Sequence, residues 1–269
     1  MTPADPRRAR AFDGYAGEYD RFRPGYPEQL FTTIAHRLQL PDRPIVVDLG
    51  AGTGRATLAM AELGWRVTAV EPGRPLLDVL RGAATDAGLV VSTVQTGAED
   101  TGLDPESADL VTAAQSFHWF DKDRALPEMA RILKPSGGVA LFWNVRDVDR
   151  SPFLADYDAL LARHAASEVD TGRYEAVGRQ ETARAFEAHA AAFEAPEVIH
   201  LRHEVAMTDE EFTGMAFTAS YVRVGMPPDV QDRFRIELGG LLGRHGLNDG
   251  RPFAVPYRID LWIARRRAA

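Results

Sequence analysis

Val47-Asp48-Leu49-Gly50-Ala51-Gly52-Thr53-Gly54 is the stretch on which the reading of this sequence turns. Residues 45–49 are nearly all apolar, as a parallel strand covered on both faces requires. Glycines directly behind such a strand let the chain turn sharply and bring its backbone close to a ligand. The helix expected at 55–63 then points its N-terminus into the same crevice. A dinucleotide-binding turn needs a further glycine three residues after Gly52, where Arg55 stands. The pattern here is D-x-G-x-G-x-G, with the acid inside the strand.

Outward from this turn, strands and helices alternate. Strands are expected at 67–70, 90–95, 109–114 and 139–143, and helices at 75–86 and 122–133. Pro127 predicts a kink or a late start in the last of these helices, and Lys134-Pro135-Ser136-Gly137-Gly138 ends it. Upstream, Pro27 opens an amphipathic helix over 27–38 with Leu30, Phe31, Ile34, Ala35 and Leu38 on one face. Before it, Phe12, Tyr15, Tyr19, Phe22 and Tyr26 make the first 26 residues too aromatic for a free tail. The alternation stops near 146. Residues 151–195 are Ala-rich and helical in character, 198–203 read as a strand, 209–245 as helical around Pro227-Pro228, and 257–263 as a last strand. The expectation is an α/β fold: a doubly wound, seven-stranded sheet, mostly parallel with one antiparallel C-terminal strand, plus a helical cap. Its parts are a lid (1–26), a core (27–146), cap segments (147–195 and 209–250) and closing strands (196–208 and 251–269), all in one domain.

The 269 residues are 45% hydrophobic and 26% charged, an ordinary globular composition. A formal net charge of −8 disfavours a phosphate backbone as partner. Arg265-Arg266-Arg267 reads as a solvated terminus. With no cysteine, disulfides, thiolate nucleophiles and thiolate-held zinc are excluded. Residues 1–15 lack the apolar core of a signal peptide, and no apolar stretch of about 18 residues occurs. The expectation is a cytoplasmic protein with neither nucleic-acid nor membrane partners.

Glu71 ends the second strand, 17 residues after Gly54. A carboxylate there accepts hydrogen bonds from both hydroxyls of a ribose, in NAD as well as in other nucleotide-type cofactors. The motifs VVDLGAGTGRAT at 46–57, TAVEP at 68–72, GAED at 97–100, ADLVTAAQSFHWF at 108–120 and RILKPSGGVALFWN at 131–144 go further. Together they make residues 12–145 resemble the Rossmann-like S-adenosylmethionine-dependent methyltransferases, in particular those like trans-aconitate methyltransferase and its ubiquinone-pathway relatives. The stretch from Tyr19 to Pro27 resembles that group's cofactor lid.

The resemblance implies S-adenosylmethionine as cofactor and a small molecule, a carboxylic acid or a secondary metabolite, as acceptor of the methyl group on oxygen, carbon or nitrogen. It sets Gly50, Gly52 and Gly54 against the methionine and ribose portions, with Asp48 ordering the loop or reaching the amino group. Glu71 would bind the ribose, Ala98 and Glu99 the adenine, and Gln115 the methionine end. Arg23 would pair with the methionine carboxylate, because a guanidinium fork suits one. Methyl transfer from a sulfonium expels a good neutral leaving group, so positioning and desolvation can supply most of the rate. The candidate catalytic residue is His118, just after the fourth strand; the alternative is a histidine that shapes the pocket. Trp119 and Trp143 are candidate walls, and Tyr221 and Arg223 candidate substrate contacts from the cap. Asp147 and Asp149 read as a solvated loop, and no metal is expected. The competing readings are a nucleotide-linked oxidoreductase and a non-catalytic cofactor-binding module.

Overall fold

The computed structural model describes residues 16–164, 171–223 and 225–267. The core elements are α1 (Ala16–Phe22), α2 (Glu28–Leu38), β1 (Ile45–Leu49), α3 (Arg55–Glu62), β2 (Arg66–Val70), α4 (Arg74–Asp86), β3 (Ser92–Val94), β4 (Ala108–Ala114), α5 (Lys122–Ile132) and β5 (Leu133–Arg146). There follow α6 (Pro152–His164), α7 (Thr171–Ala188), β6 (Glu197–Met207), α8 (Asp209–Phe217), α9 (Ser220–Arg223), α10 (Pro228–Arg244) and β7 (Phe253–Arg265). One seven-stranded sheet runs in the order β3-β2-β1-β4-β5-β7-β6. β7 runs antiparallel to both its neighbours, and the pairs among the first five strands are parallel. The strand order reverses between β1 and β4, which opens a crevice at their carboxyl ends.

Both faces of the sheet are covered. On one, Leu30, Phe31, Ile34 and Met60 of α2 and α3 pack on Val46, Phe142 and Ile259. On the other, Met129 and Ile132 of α5 and Phe186 of α7 pack on Val111, Leu141 and Trp262. A third core lies in the cap, where Phe153 and Tyr157 of α6, Phe212 of α8 and Phe234 of α10 close over the start of β7. Thr208 and Glu211 start α8 with reciprocal bonds: the Thr208 hydroxyl accepts the Glu211 N–H at 3.2 Å and the Glu211 carboxylate accepts the Thr208 N–H at 2.8 Å.

Several expectations change. The third strand is shorter than the apolar run 90–95, because Val90 is 91% exposed and precedes the ladder. The fifth strand is longer than 139–143, because its ladder with β7 continues to Arg146. The arginines at 265–267 are half-buried to exposed but also bonded: Arg265 donates to Arg37 O, Arg266 pairs with Glu106 and Leu133 O, and Arg267 donates to Ala190 O and Phe193 O. Carbonyls at the ends of helices and strands need donors, and a long guanidinium arm reaches them. Pro127 sits inside α5 without ending it or delaying its start.

Candidate active site

The loop after β1 has three glycines at positive φ: Gly50 (+64°), Gly52 (+58°) and Gly54 (+94°). What lies in front of each differs. A Cβ at Gly50 would stand 2.7 Å from the Ser116 Cβ, and one at Gly54 would stand 2.7 Å from the Leu80 Cγ. A Cβ at Gly52 would meet nothing within 4 Å. Gly50 and Gly54 therefore serve close packing, while Gly52 presents its backbone to open space in the crevice. The buried Thr53 hydroxyl beside it has no partner among the described residues.

Glu71, buried at the end of β2, holds this loop. Its Oε2 accepts the Gly52 N–H at 3.0 Å and its Oε1 accepts the Gly73 N–H at 2.9 Å.

Asp48 lies one layer deeper. It is fully buried and accepts from the Thr57 hydroxyl at 2.6 Å and the Thr112 hydroxyl at 2.7 Å. Both oxygens thus tie β1 to α3 and β4. Burial outweighs these bonds and pushes the carboxyl up from 3.8 to about 6. A raised carboxyl contributes stability below its unfolded value of 3.8 and loses it as the pH rises through about 6. Asp48→Asn removes this titration, so its stability relative to wild type should improve between pH 4 and pH 7 by roughly 2–3 kcal/mol. Urea unfolding at the two pH values measures this. A difference that does not change with pH would mean that Asp48 is already ionised at pH 4.

The end of β4 forms the opposite wall. Gln115 adopts φ +55°, uncommon for a side chain of its size, and donates from Nε2 to Asn144 O at 3.0 Å. The Ser116 hydroxyl donates to Leu49 O at 2.9 Å and pins the two strand ends together. Ala98 is buried in the connection before β4, and the Glu99 carboxylate accepts the Asp121 N–H at 3.0 Å at the start of α5. The half-buried His118 accepts the Trp143 indole N–H on Nδ1 at 3.4 Å. That bond puts the ring proton of neutral His118 on Nε2. Burial, and then the charge of Lys122, lower it to about 4. His118 is thus neutral at pH 7 and only a weak base, which favours the pocket-shaping role over proton abstraction.

The N-terminal segment lies across both walls. Asp20 pairs with Arg55 at 3.4 Å, at the first residue of α3. Arg23 donates to Thr218 O at 3.0 Å, and Gly25 O accepts from the Asn144 amide at 3.0 Å. Tyr26 packs edge-on against Phe142 at 5.0 Å. Phe12 and Tyr15 lie outside the described residues, and of Tyr19 only the backbone is described.

The other candidates separate. Asp147 is buried and paired with Arg202 at 3.2 Å, while Asp149 is exposed on the next turn. Arg223 lies exposed in a surface hollow with Phe22 and Arg235. Tyr221 turns inward, where its hydroxyl accepts from Arg146 at 3.4 Å. Arg146, with Tyr157 and Tyr257 around it, forms a buried polar cluster that the motifs do not mark. These residues come from β5, α6 and β7, and no short spacing links them.

Known proteins agree with this architecture. Residues 47–141 match the family described as a methyltransferase domain. An uncharacterised methyltransferase of Mycobacterium tuberculosis is 42% identical over 151 residues, which is 55% of this chain and 57% of that protein. A methyltransferase-like protein of Schizosaccharomyces pombe is 34% identical over 156 residues, 58% of this chain and 59% of that one. The chain thus matches less than two thirds of these relatives' lengths. A solved structure assigned as a candidate type II methyltransferase, from Anaeromyxobacter dehalogenans, superposes with a TM-score of 0.66 at 28% identity, covering 91% of this chain and 98% of that one. With the reversed strand order, the antiparallel β7 and the glycine loop, these matches make residues 47–141 similar to a methyltransferase domain, on a Rossmann-like fold that the whole sheet shares with a solved methyltransferase-type structure.

Proposed function

We propose that this protein transfers the methyl group of S-adenosylmethionine to a small-molecule acceptor. The observation that carries this reading is the open space before Gly52, at the point where the strand order reverses, with the Glu71 carboxylate beside it. When bound, the cofactor supplies a methyl group on a sulfonium, with a neutral thioether as leaving group. The chain's own residues hold, orient and dry. Gly50, Gly52 and Gly54 shape the loop, and Gly52 lets its backbone lie against the ligand. Glu71 accepts from ribose hydroxyls, Ala98 and Glu99 bound the adenine, and Gln115 with Arg23 holds the methionine end. His118, Trp119 and Trp143 wall the methyl group, with neutral His118 acting as a hydrogen-bond donor rather than a base. The N-terminal segment, described over residues 16–26, acts as a lid that excludes water. The net charge of −8 favours a small molecule over a nucleic acid as acceptor.

Titration calorimetry with S-adenosylhomocysteine and with NAD tests the cofactor, followed by transfer of labelled methyl to a metabolite panel. Binding of S-adenosylhomocysteine alone, with turnover on the panel, is expected. Saturable NAD binding without S-adenosylhomocysteine binding would overturn the reading in favour of an oxidoreductase. Cofactor binding without any transfer would favour a non-catalytic module.

A further inference from the structure

The carbonyl of Gly25 can only accept, so the Asn144 side chain must turn its nitrogen toward it, and Nδ2 donates to Gly25 O at 3.0 Å. That choice points Oδ1 the other way, where it meets His203 Nε2 at 2.9 Å. An amide oxygen can only accept, so His203 Nε2 carries the proton and donates. Burial lowers His203 below the ordinary imidazole range, which keeps the ring neutral at pH 7 and leaves the bond to select its Nε2–H form. His203 comes from β6, the outermost strand, and Asn144 from β5, with β7 between them. Two strand spacings amount to about 9.6 Å. The imidazole crosses that gap beside the Tyr257 ring, 5.6 Å from it and tilted by 31°. Phe142 and Asn144 share one face of β5, and Tyr26 lies edge-on against Phe142 at 5.0 Å. Gly25 and Tyr26 are thus laid on two successive positions of that face. Asn144 serves the other wall as well. Its carbonyl accepts from Gln115 Nε2 at 3.0 Å, while Phe142 O accepts the Gln115 N–H at 2.9 Å. These two bonds hold Gln115 at its φ of +55°, uncommon for a residue with a side chain.

We propose that Asn144 is a positioning residue for the cofactor pocket: its side chain, oriented by His203, pins the N-terminal segment at Gly25 to the strand end that carries Gln115. The inference rests on the methyl-transfer reading, in which Gln115 and this segment enclose the cofactor. Asn144 and His203 act through those two neighbours. Each link joins a different pair of elements: β6 to β5, β5 to the segment before α2, and β5 to the end of β4. Removing one link therefore loosens parts of the chain that are far apart in sequence. The polarity of the chain makes it specific. Every donor in it meets an acceptor, and a carboxylate in place of the Asn144 amide would set two acceptors face to face at Gly25 while keeping the bond from His203. Loss of the donor on β6 would leave the Asn144 oxygen without the bond that orients the amide.

Hydrogen exchange over residues 16–26 without ligand, and calorimetry with S-adenosylhomocysteine, test this on three variants. Asn144→Asp should exchange over that segment roughly ten-fold faster than wild type and bind S-adenosylhomocysteine roughly ten-fold more weakly. His203→Leu fills similar space without a donor and should move both readouts the same way, by roughly three-fold or more. His203→Gln offers an amide N–H at a similar reach and should bring both back to within about two-fold of wild type. A merely structural role would lower the melting temperature of both His203 variants and leave the affinity unmoved, which overturns the inference. So does segment exchange or affinity unchanged in Asn144→Asp, or His203→Gln as impaired as His203→Leu. If Asn144→Asp does not fold, the two His203 variants decide. A wild type that fails to bind S-adenosylhomocysteine overturns the methyl-transfer reading, and the exchange measured without ligand separates that failure from a failure of Asn144 to pin the segment.

Discussion

Gly52→Val will bind S-adenosylhomocysteine roughly a hundred-fold more weakly than wild type, or not measurably, while still folding. Among the three glycines of the loop, Gly52 alone faces open space, with nothing within 4 Å of the Cβ position. A valine there collides with no protein atom near its Cβ and fills the volume reserved for the ligand. Its cost to the fold comes from φ +58°, a left-handed conformation that costs an L-residue about 1–2 kcal/mol and a β-branched one somewhat more. That is a fraction of the stability of an ordinary domain. Gly50→Ala and Gly54→Ala should do the opposite and lower the melting temperature first, because their methyl groups collide with Ser116 and Leu80. Calorimetry and thermal unfolding on the three variants separate the effects. Undiminished affinity in a folded Gly52→Val would remove the loop from the binding site.

Glu71→Ala should weaken S-adenosylhomocysteine binding by about 1.5–3 kcal/mol, the usual worth of hydrogen bonds to a charged group. The variant should also melt lower than wild type. Glu71 already accepts from the Gly52 and Gly73 N–H groups, so removing it leaves two backbone donors without acceptors beside the ligand. Glu71→Gln keeps one carbonyl oxygen and turns an amide toward the other donor, so it should fall between the two. Titration well below the melting temperature of each variant isolates the binding loss. Equal affinity of Glu71→Ala and wild type would mean that the carboxylate serves the loop backbone and never meets the ligand.

How much of this was legible beforehand depended on range. The β1 strand, the glycine turn and Glu71 follow from short-range rules: an apolar run, glycine punctuation, and an acid at a strand end. The structure keeps all of these in place. Asp48 was readable as an acid inside a strand, but its bonds from Thr57 and Thr112 were not, because Thr112 lies on a different strand. His118 was readable as a histidine at the carboxyl edge. Its state was not, since Trp143 reaches it from β5 and Lys122 from α5.

By itself, the sequence determined that this chain builds a doubly wound sheet around a glycine loop, because strand and helix periods, turn residues and the acid after β2 are local properties of neighbouring residues. Only the tertiary structure decided which glycine faces open space, how far β5 runs, and that Arg146 gathers Tyr157, Tyr221 and Tyr257. The reason is physical. Open space, burial and an unsatisfied hydroxyl are properties of surroundings, and those surroundings come from β5, α6, α9 and β7, strands and helices far apart in the chain that meet only when the cap closes on the sheet.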